Sequence, residues 1–238
     1  MTIRATPDCL QDITARLSRP APLLEELSIG AFSQRPMLTP TLFDGDLSSL
    51  RKLRLDSIYT ELPWRGLINL TSFTLARVLP VSVWQLLDFF ESTPHILQVE
   101  LHYVTQAPGA QTGRLVSLAR LEGMIITGGG PPSVLLNHLL IPVGARLTMC
   151  GTSIEDLIPR SLDNLRNLSD FTKIQLEFDE LYRRLEFSGP NGKVTMILST
   201  HEVSITLESL AWFDTPNAPL HGRPTHPRTF SMLAPRKS

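Results

Sequence analysis

An apolar-x-x-apolar-x-apolar unit recurs along the chain, and it constrains the fold more than any single residue does. It reads Leu24-x-x-Leu27-x-Ile29, Leu50-x-x-Leu53-x-Leu55, Leu70-x-x-Phe73-x-Leu75 and Ile96-x-x-Val99-x-Leu101. It continues as Leu118-x-x-Leu121, Leu147-x-Met149 and Phe171-x-x-Ile174-x-Leu176-x-Phe178. Between central positions the steps are 26, 20, 26, 22, 26 and 27 residues, and several copies extend three residues upstream, at Leu47, Leu67, Leu115 and Leu168. The last two apolar positions are spaced by two, as a strand with one buried face requires, and the spacing of three before them is a turn entering that strand. One such strand cannot bury its face alone. Units stacked in parallel share a continuous core.

Seven copies at this period match leucine-rich repeats, which run 20–29 residues. The expected fold is α/β: a leucine-rich-repeat solenoid, a right-handed βα superhelix with a curved parallel sheet, irregular repeats and a C-terminal β-hairpin cap. Leucine supplies 40 of the 238 residues, which suits so many register positions. The place where leucine-rich repeats carry Asn or Cys holds Phe32, Ile58, Val78, Val104, Ile126, Thr152 and Asp179. The turns must then be held by backbone hydrogen bonds and apolar packing. The longer steps have room for helices. Ser82 is the expected N-cap of one over 80–91, with Val83, Leu86, Leu87 and Phe90 on one face and Pro94 ending it. Ser133 is the expected cap of a second helix, stopped by Pro142, and a third starts at Ser153 and breaks at Pro159. Segments 56–69 and 102–114 read as loops or single turns.

The ends differ from the middle. Residues 1–20 read as the N-terminal helix of an incomplete repeat whose strand is absent, with Leu10, Ile13 and Leu17 on one side. The solenoid spans 21–181. Residues 182–212 form a β-strand cap, in which Arg184–Phe187 and Lys193–Leu198 flank the turn-rich Ser188–Gly192 and would close the open sheet edge. Residues 213–238, with five prolines beyond Asp214 and no apolar period, read as a disordered tail.

Composition narrows the function classes. With 19% charged residues and a formal net charge of −1, bulk charge argues against a nucleic-acid partner. Two cysteines, Cys9 and Cys150, make no disulfide scaffold and suit a reducing compartment. No signal-peptide core opens the chain, and the longest apolar stretch, Val78–Phe90, is interrupted by Gln85 and Asp88. It is too short to span a bilayer. The expectation is a cytoplasmic or nuclear protein without a membrane partner.

The chemistry-bearing residues form no constellation. Apart from His221 and His226 in the tail, the six histidines show no metal-ligand spacing with a third ligand nearby. Gly128-Gly129-Gly130 is followed by Pro131-Pro132 rather than the Lys-Ser/Thr of a phosphate loop. Cys150 follows Met149 on a strand with no base to activate it, and Trp64, Trp84 and Trp212 read as core. No catalytic, cofactor or metal residue is expected. What remains is the sheet face opposite the core. Its expected partner-binding residues are Glu26, Arg54, Asp56, Thr74, Glu100, His102, Arg120, Glu122, Thr148, Lys173, Gln175 and Glu177, with Ser28, Gln98 and Arg146 beside them. The plainer reading is a solvated face. The functional one is a protein-binding surface, of a kind such stacks commonly carry.

The run Pro20-Ala-Pro-Leu-Leu-Glu-Glu-Leu-Ser-Ile29 and the later Leu50-Arg-Lys-Leu-Arg-Leu55 resemble the leucine-rich repeats of fungal, basidiomycete-type F-box proteins, over about residues 7–200. In that family a short N-terminal F-box docks on the adaptor of an SCF-type ubiquitin ligase, and the repeats capture a substrate. No room for an F-box precedes the first repeat here. The resemblance therefore implies a non-catalytic substrate-recognition half without the ligase-docking half. A leucine-rich segment of a signalling scaffold or an immune sensor, or a truncated product with no binding activity, is the alternative.

Overall fold

A computed structural model describes residues 1–6, 9–10, 12–13, 17, 19–32, 37–38, 43, 46–60, 66–78, 81–104, 106–107, 113–128, 130–151, 157, 172–178, 182–190, 192–199 and 229–232. Alternating apolar residues place a strand at, or within three residues of, each repeating unit. The strands are β1 (Thr2–Ala5), β2 (Glu26–Ala31), β3 (Lys52–Asp56), β4 (Ser72–Ala76), β5 (Gln98–His102), β6 (Gly123–Thr127) and β7 (Arg146–Gly151). They are followed by β8 (Lys173–Phe178), β9 (Tyr182–Ser188), β10 (Lys193–Ser199) and β11 (Thr229–Met232). Together they make one 11-stranded sheet in the order β1-β2-β3-β4-β5-β6-β7-β10-β9-β8-β11. Only β9 runs antiparallel to its neighbours. With helices α1 (Val83–Ser92) and α2 (Pro132–Leu136), the chain is a mostly parallel α/β structure.

Register turns the repeated unit into two ladders. Leu27, Leu53, Phe73, Val99, Met124, Leu147 and Val194 lie side by side on successive neighbouring strands. So do Ile29, Leu55, Leu75, Leu101, Ile126, Met149 and Met196, and none of the fourteen exceeds 2% exposure. Burial of each such side chain stabilises by roughly 1.5–3 kcal/mol. The three-residue spacing before each strand is a turn. The N–H of Leu50, Leu70, Ile96 and Leu121 donates to the carbonyl of Leu47, Leu67, Thr93 and Leu118 respectively. Before β7 the turn slips by one residue, to Ala145 donating to Pro142, and buried Ala145 replaces the missing leucine.

The turn leaving each strand is held as the absent Asn requires. Ser57, Arg77, Tyr103 and Gly128 adopt positive φ of 53–64° at equivalent positions. The N–H of Ser57, Arg77 and Tyr103 donates to Ala76, His102 and Thr127 on the next strand. Ile58, Val78 and Val104 beside them are buried, whereas Phe32 is 70% exposed.

Helix α1 has the expected cap. The Ser82 hydroxyl accepts from the Gln85 N–H and the Gln85 side chain accepts from the Ser82 N–H. Its apolar face, joined by Phe89, packs on the sheet, with the Phe73 and Phe89 rings 4.2 Å apart.

Several expectations are corrected. Residues 1–20 do not lack their strand: β1 pairs in parallel with β2, Ile3 opposite Ile29. With one fully apolar position and Ala5, it carries too little of the pattern to be read. Residues 9–10 and 12–13 are helical as expected. The fifth unit is Leu121-x-x-Met124-x-Ile126, three residues later than its sequence reading, and its upstream residue is Leu118 rather than half-exposed Leu115. The seventh, on β8, does not follow β7; hairpin strand β10 takes that place, Leu147 opposite Val194. Helix α2 is capped by Pro131, not Ser133, and ends early because Leu139–Leu140 pairs with Val116–Ser117. Segments 56–69 and 102–114 contain short strands, Tyr59–Thr60 paired with Met37–Leu38 and Gln106–Ala107 paired with Val81–Ser82. Thr229–Met232, expected in a disordered tail, is strand β11 on β8. The third helix falls outside the described residues except for helical Leu157.

Candidate functional site

Residues alternating with the two ladders point away from the core and form three rows. The first holds Glu26, Lys52, Ser72, Gln98, Gly123, Arg146 and Lys193; the second Ser28, Arg54, Thr74, Glu100, Ile125, Thr148 and Thr195. The third holds Gly30, Asp56, Ala76, His102, Thr127, Cys150 and Ile197. Most of the expected partner-binding residues therefore do share one face.

On β2 to β6 the charges are paired with one another. Glu26 meets Lys52 at 2.6 Å, and that hydrogen bond, then its charge, holds the Glu26 carboxyl below the usual carboxylate range. Asp56 is buried, 2.7 Å from Arg77 and 3.8 Å from Arg54, and accepts from the Ser57 hydroxyl at 3.1 Å. Thr74 is also buried and donates to Glu100 Oε2 at 3.3 Å. The same oxygen lies 3.3 Å from His102 Nε2, while His102 Nδ1 lies 2.9 Å from Thr127 Oγ1. This hydroxyl–imidazole–carboxylate chain ties β5 to β6. Cys150, beside Thr127, is half-buried, and burial pushes its thiol up, away from the reactive thiolate.

Two expected residues leave the face. Arg120 stands in the turn before β6, 3.0 Å from His95 Nδ1. Glu122 ends that turn, where its N–H donates to Leu97 and its carboxylate accepts from Gln98. Both follow from the three-residue register correction. The Glu177 side chain lies outside the described residues.

The character of the face changes at the β7–β10 junction. A cavity of about 770 Å³ opens there, lined by Arg146, Thr148, Arg184, Lys193, Thr195 and the hairpin turn Ser188, Gly189, Pro190 and Gly192. Arg184 and Lys193 share Glu186, at 3.0 and 2.9 Å. Ser188 joins Lys193 to Lys173 in the first row, and Glu186 joins Thr195 to Gln175 in the second. Of the expected partner-binding residues only Thr148 lines this cavity; Lys173 and Gln175 continue the rows on β8, two strands beyond β10. The signal for Arg184, Glu186, Lys193 and Thr195 was the same alternation, around Leu185, Phe187, Val194 and Met196.

Among the described residues no group of three His, Cys, Asp or Glu side chains could hold a metal ion, and no helix is long and apolar enough to cross a membrane. No family model, curated protein or solved structure matches the chain.

Proposed function

We propose that the chain is a leucine-rich-repeat solenoid acting as a non-catalytic protein-binding module of the cytoplasm or nucleus. In this reading it serves as the substrate-recognition half of an F-box-like ubiquitin-ligase subunit, with a protein partner on the polar sheet face. The observation that supports the reading is the row structure of that face. Charged and hydroxylated side chains from successive strands stand in register on a rigid sheet, the arrangement a recognition surface needs.

The test compares three baits in affinity capture at a stated salt concentration: wild type, a double variant Arg54→Glu with Glu100→Lys on the face, and Glu91→Gln on α1. Proteins retained by wild type and Glu91→Gln and lost by the face variant are the expected result. A face variant that folds and captures the same set as wild type overturns the reading.

A further inference from the structure

We propose that Thr127 is an activated hydroxyl that takes an acyl group from activated acyl donors, aryl esters or thioesters, with His102 as its base. The two residues are register partners on β6 and β5, and Thr127 Oγ1 lies 2.9 Å from His102 Nδ1. Glu100 precedes His102 by two residues on β5, hence on the same face, and its Oε2 lies 3.3 Å from His102 Nε2. A carboxylate can only accept, so Nε2 carries the ring proton. The neutral ring then has its lone pair at Nδ1, and the Thr127 hydroxyl must donate to it. Hydroxyl, imidazole and carboxylate stand in the order that makes a weak nucleophile reactive: the base faces the hydroxyl and a third group orients the base. The Thr74 hydroxyl donates to the same Glu100 oxygen at 3.3 Å and so holds the positioning carboxylate.

Two further observations bear on the attack. The N–H groups of Ser57, Arg77 and Tyr103 each donate to the next strand, whereas that of Gly128, directly after Thr127, meets no backbone carbonyl among the described residues. A backbone N–H that follows the nucleophile is a donor for the oxyanion of a tetrahedral intermediate. Cys150, opposite Thr127, is kept as a thiol by burial, which leaves the hydroxyl as the group with a base beside it. In the step itself, Thr127 Oγ1 bonds to the acyl carbon and its proton passes to His102 Nδ1. The bond from the acyl carbon to the leaving oxygen or sulfur breaks, and the leaving phenolate or thiolate takes the proton. The chain lies on an open sheet face, with the His102 side chain 29% exposed, so the leaving group rather than the acyl chain sets the donor class. The inference goes beyond the binding role: a single acyl transfer modifies the recognition face covalently and is not turnover. It is read on the isolated full chain, so its failure leaves the capture experiment to be judged separately.

The probe is p-nitrophenyl acetate, with acetyl groups located and quantified by peptide mass spectrometry. Thr71, whose hydroxyl donates to the Arg51 carbonyl at 3.1 Å rather than to a base, is the internal control. Acetyl on Thr127 is expected to exceed that on Thr71 by about 10-fold or more. Thr127→Ser should keep the modification, and His102→Gln should lower it by about 10-fold or more. Glu100→Gln should lower it several-fold and Glu100→Asp should restore part of it. Besides Glu100, the register neighbours of His102 are Ala76 and Thr127, neither of which titrates, and Arg77 in the turn after β4 is turned to Asp56 and Ser57. The Thr127-to-Thr71 ratio in wild type should therefore fall in acid, where a protonated ring accepts no proton. Equal labelling of the two threonines overturns the proposal. So does unchanged labelling of Thr127 in a folded His102→Gln chain, or a ratio independent of pH, or acetyl on Cys150 in place of Thr127.

Discussion

Gly128 shows how much one position can depend on a neighbour in the equivalent turn of the preceding strand. Its φ of 64° is disfavoured for other residues, and a Cβ there would stand 2.6 Å from Cδ1 of Tyr103. Gly128→Ala is expected to cost about 1–3 kcal/mol, seen as a lower thermal midpoint. In a Tyr103→Ala background part of that cost should vanish, because the ring is no longer in the way; full additivity would show that only backbone strain matters. Asp56 has a comparable role. Removing its charge by Asp56→Asn leaves Arg77 and Arg54 without their carboxylate and is expected to cost about 2 kcal/mol in denaturant unfolding. Glu26 gives a pH signature. Its folded pKa is depressed, so the stabilisation from Lys52 is present above the ordinary value of 4.5 and is lost as pH falls through the lowered value. The stability gap between wild type and Glu26→Gln should therefore close on acidification; a gap independent of pH would sink the assignment.

Helix α1 is the element in which local sequence and packing agree most fully. The Ser82–Gln85 capping box starts it. At the other end Thr93 is fully buried, and its hydroxyl donates to the Phe89 carbonyl at 2.9 Å, which lets a polar residue fill the place Leu47, Leu67 and Leu118 take in other units. Ser82→Ala is expected to destabilise by about 1 kcal/mol, with helix amides near residue 85 losing protection in hydrogen exchange. Unchanged exchange there would contradict the capping account. The cap was legible because a serine three residues before a glutamine is a local signal. The end of α2 was not legible. Leu135, Leu136, Leu139 and Leu140 continue a helical apolar pattern, yet the second pair leaves the helix to bond Val116–Ser117 on a neighbouring segment. The fifth unit failed for a related reason. Leu115, Leu118 and Leu121 offer two registers spaced by three, and only the pairing of Met124 with Val99 and Leu147 selects between them.

At the scale of the whole molecule, β1 covers the edge of β2. Deleting residues 1–6 removes four register pairs and uncovers Leu27 and Ile29 at an open edge. Lower melting and self-association in light scattering are the expected outcome; a monomeric deletion variant with unchanged melting would show that β1 is dispensable.

The sequence by itself determined that apolar residues spaced by two build buried strand faces along the repeats, because that spacing is a property of the single strand and needs no partner; it did not mark β1, and it left the fifth strand between two registers. It also determined most of the candidate face, since polar residues between buried ones have only one other side to occupy; Arg120 and Glu122 fall outside it because the fifth strand takes the later register. Which strand lies beside which was decided by tertiary structure at the end of the stack. Ile174 and Leu176 offer β7 the same two-residue apolar pair as Val194 and Met196, and nothing local distinguishes them. In the meander β8–β9–β10, with six register pairs in the first hairpin and seven in the second, it is β10 that lies beside β7. That choice brings Lys193 beside Arg146 and creates the cavity at their junction, which no spacing along the chain encodes.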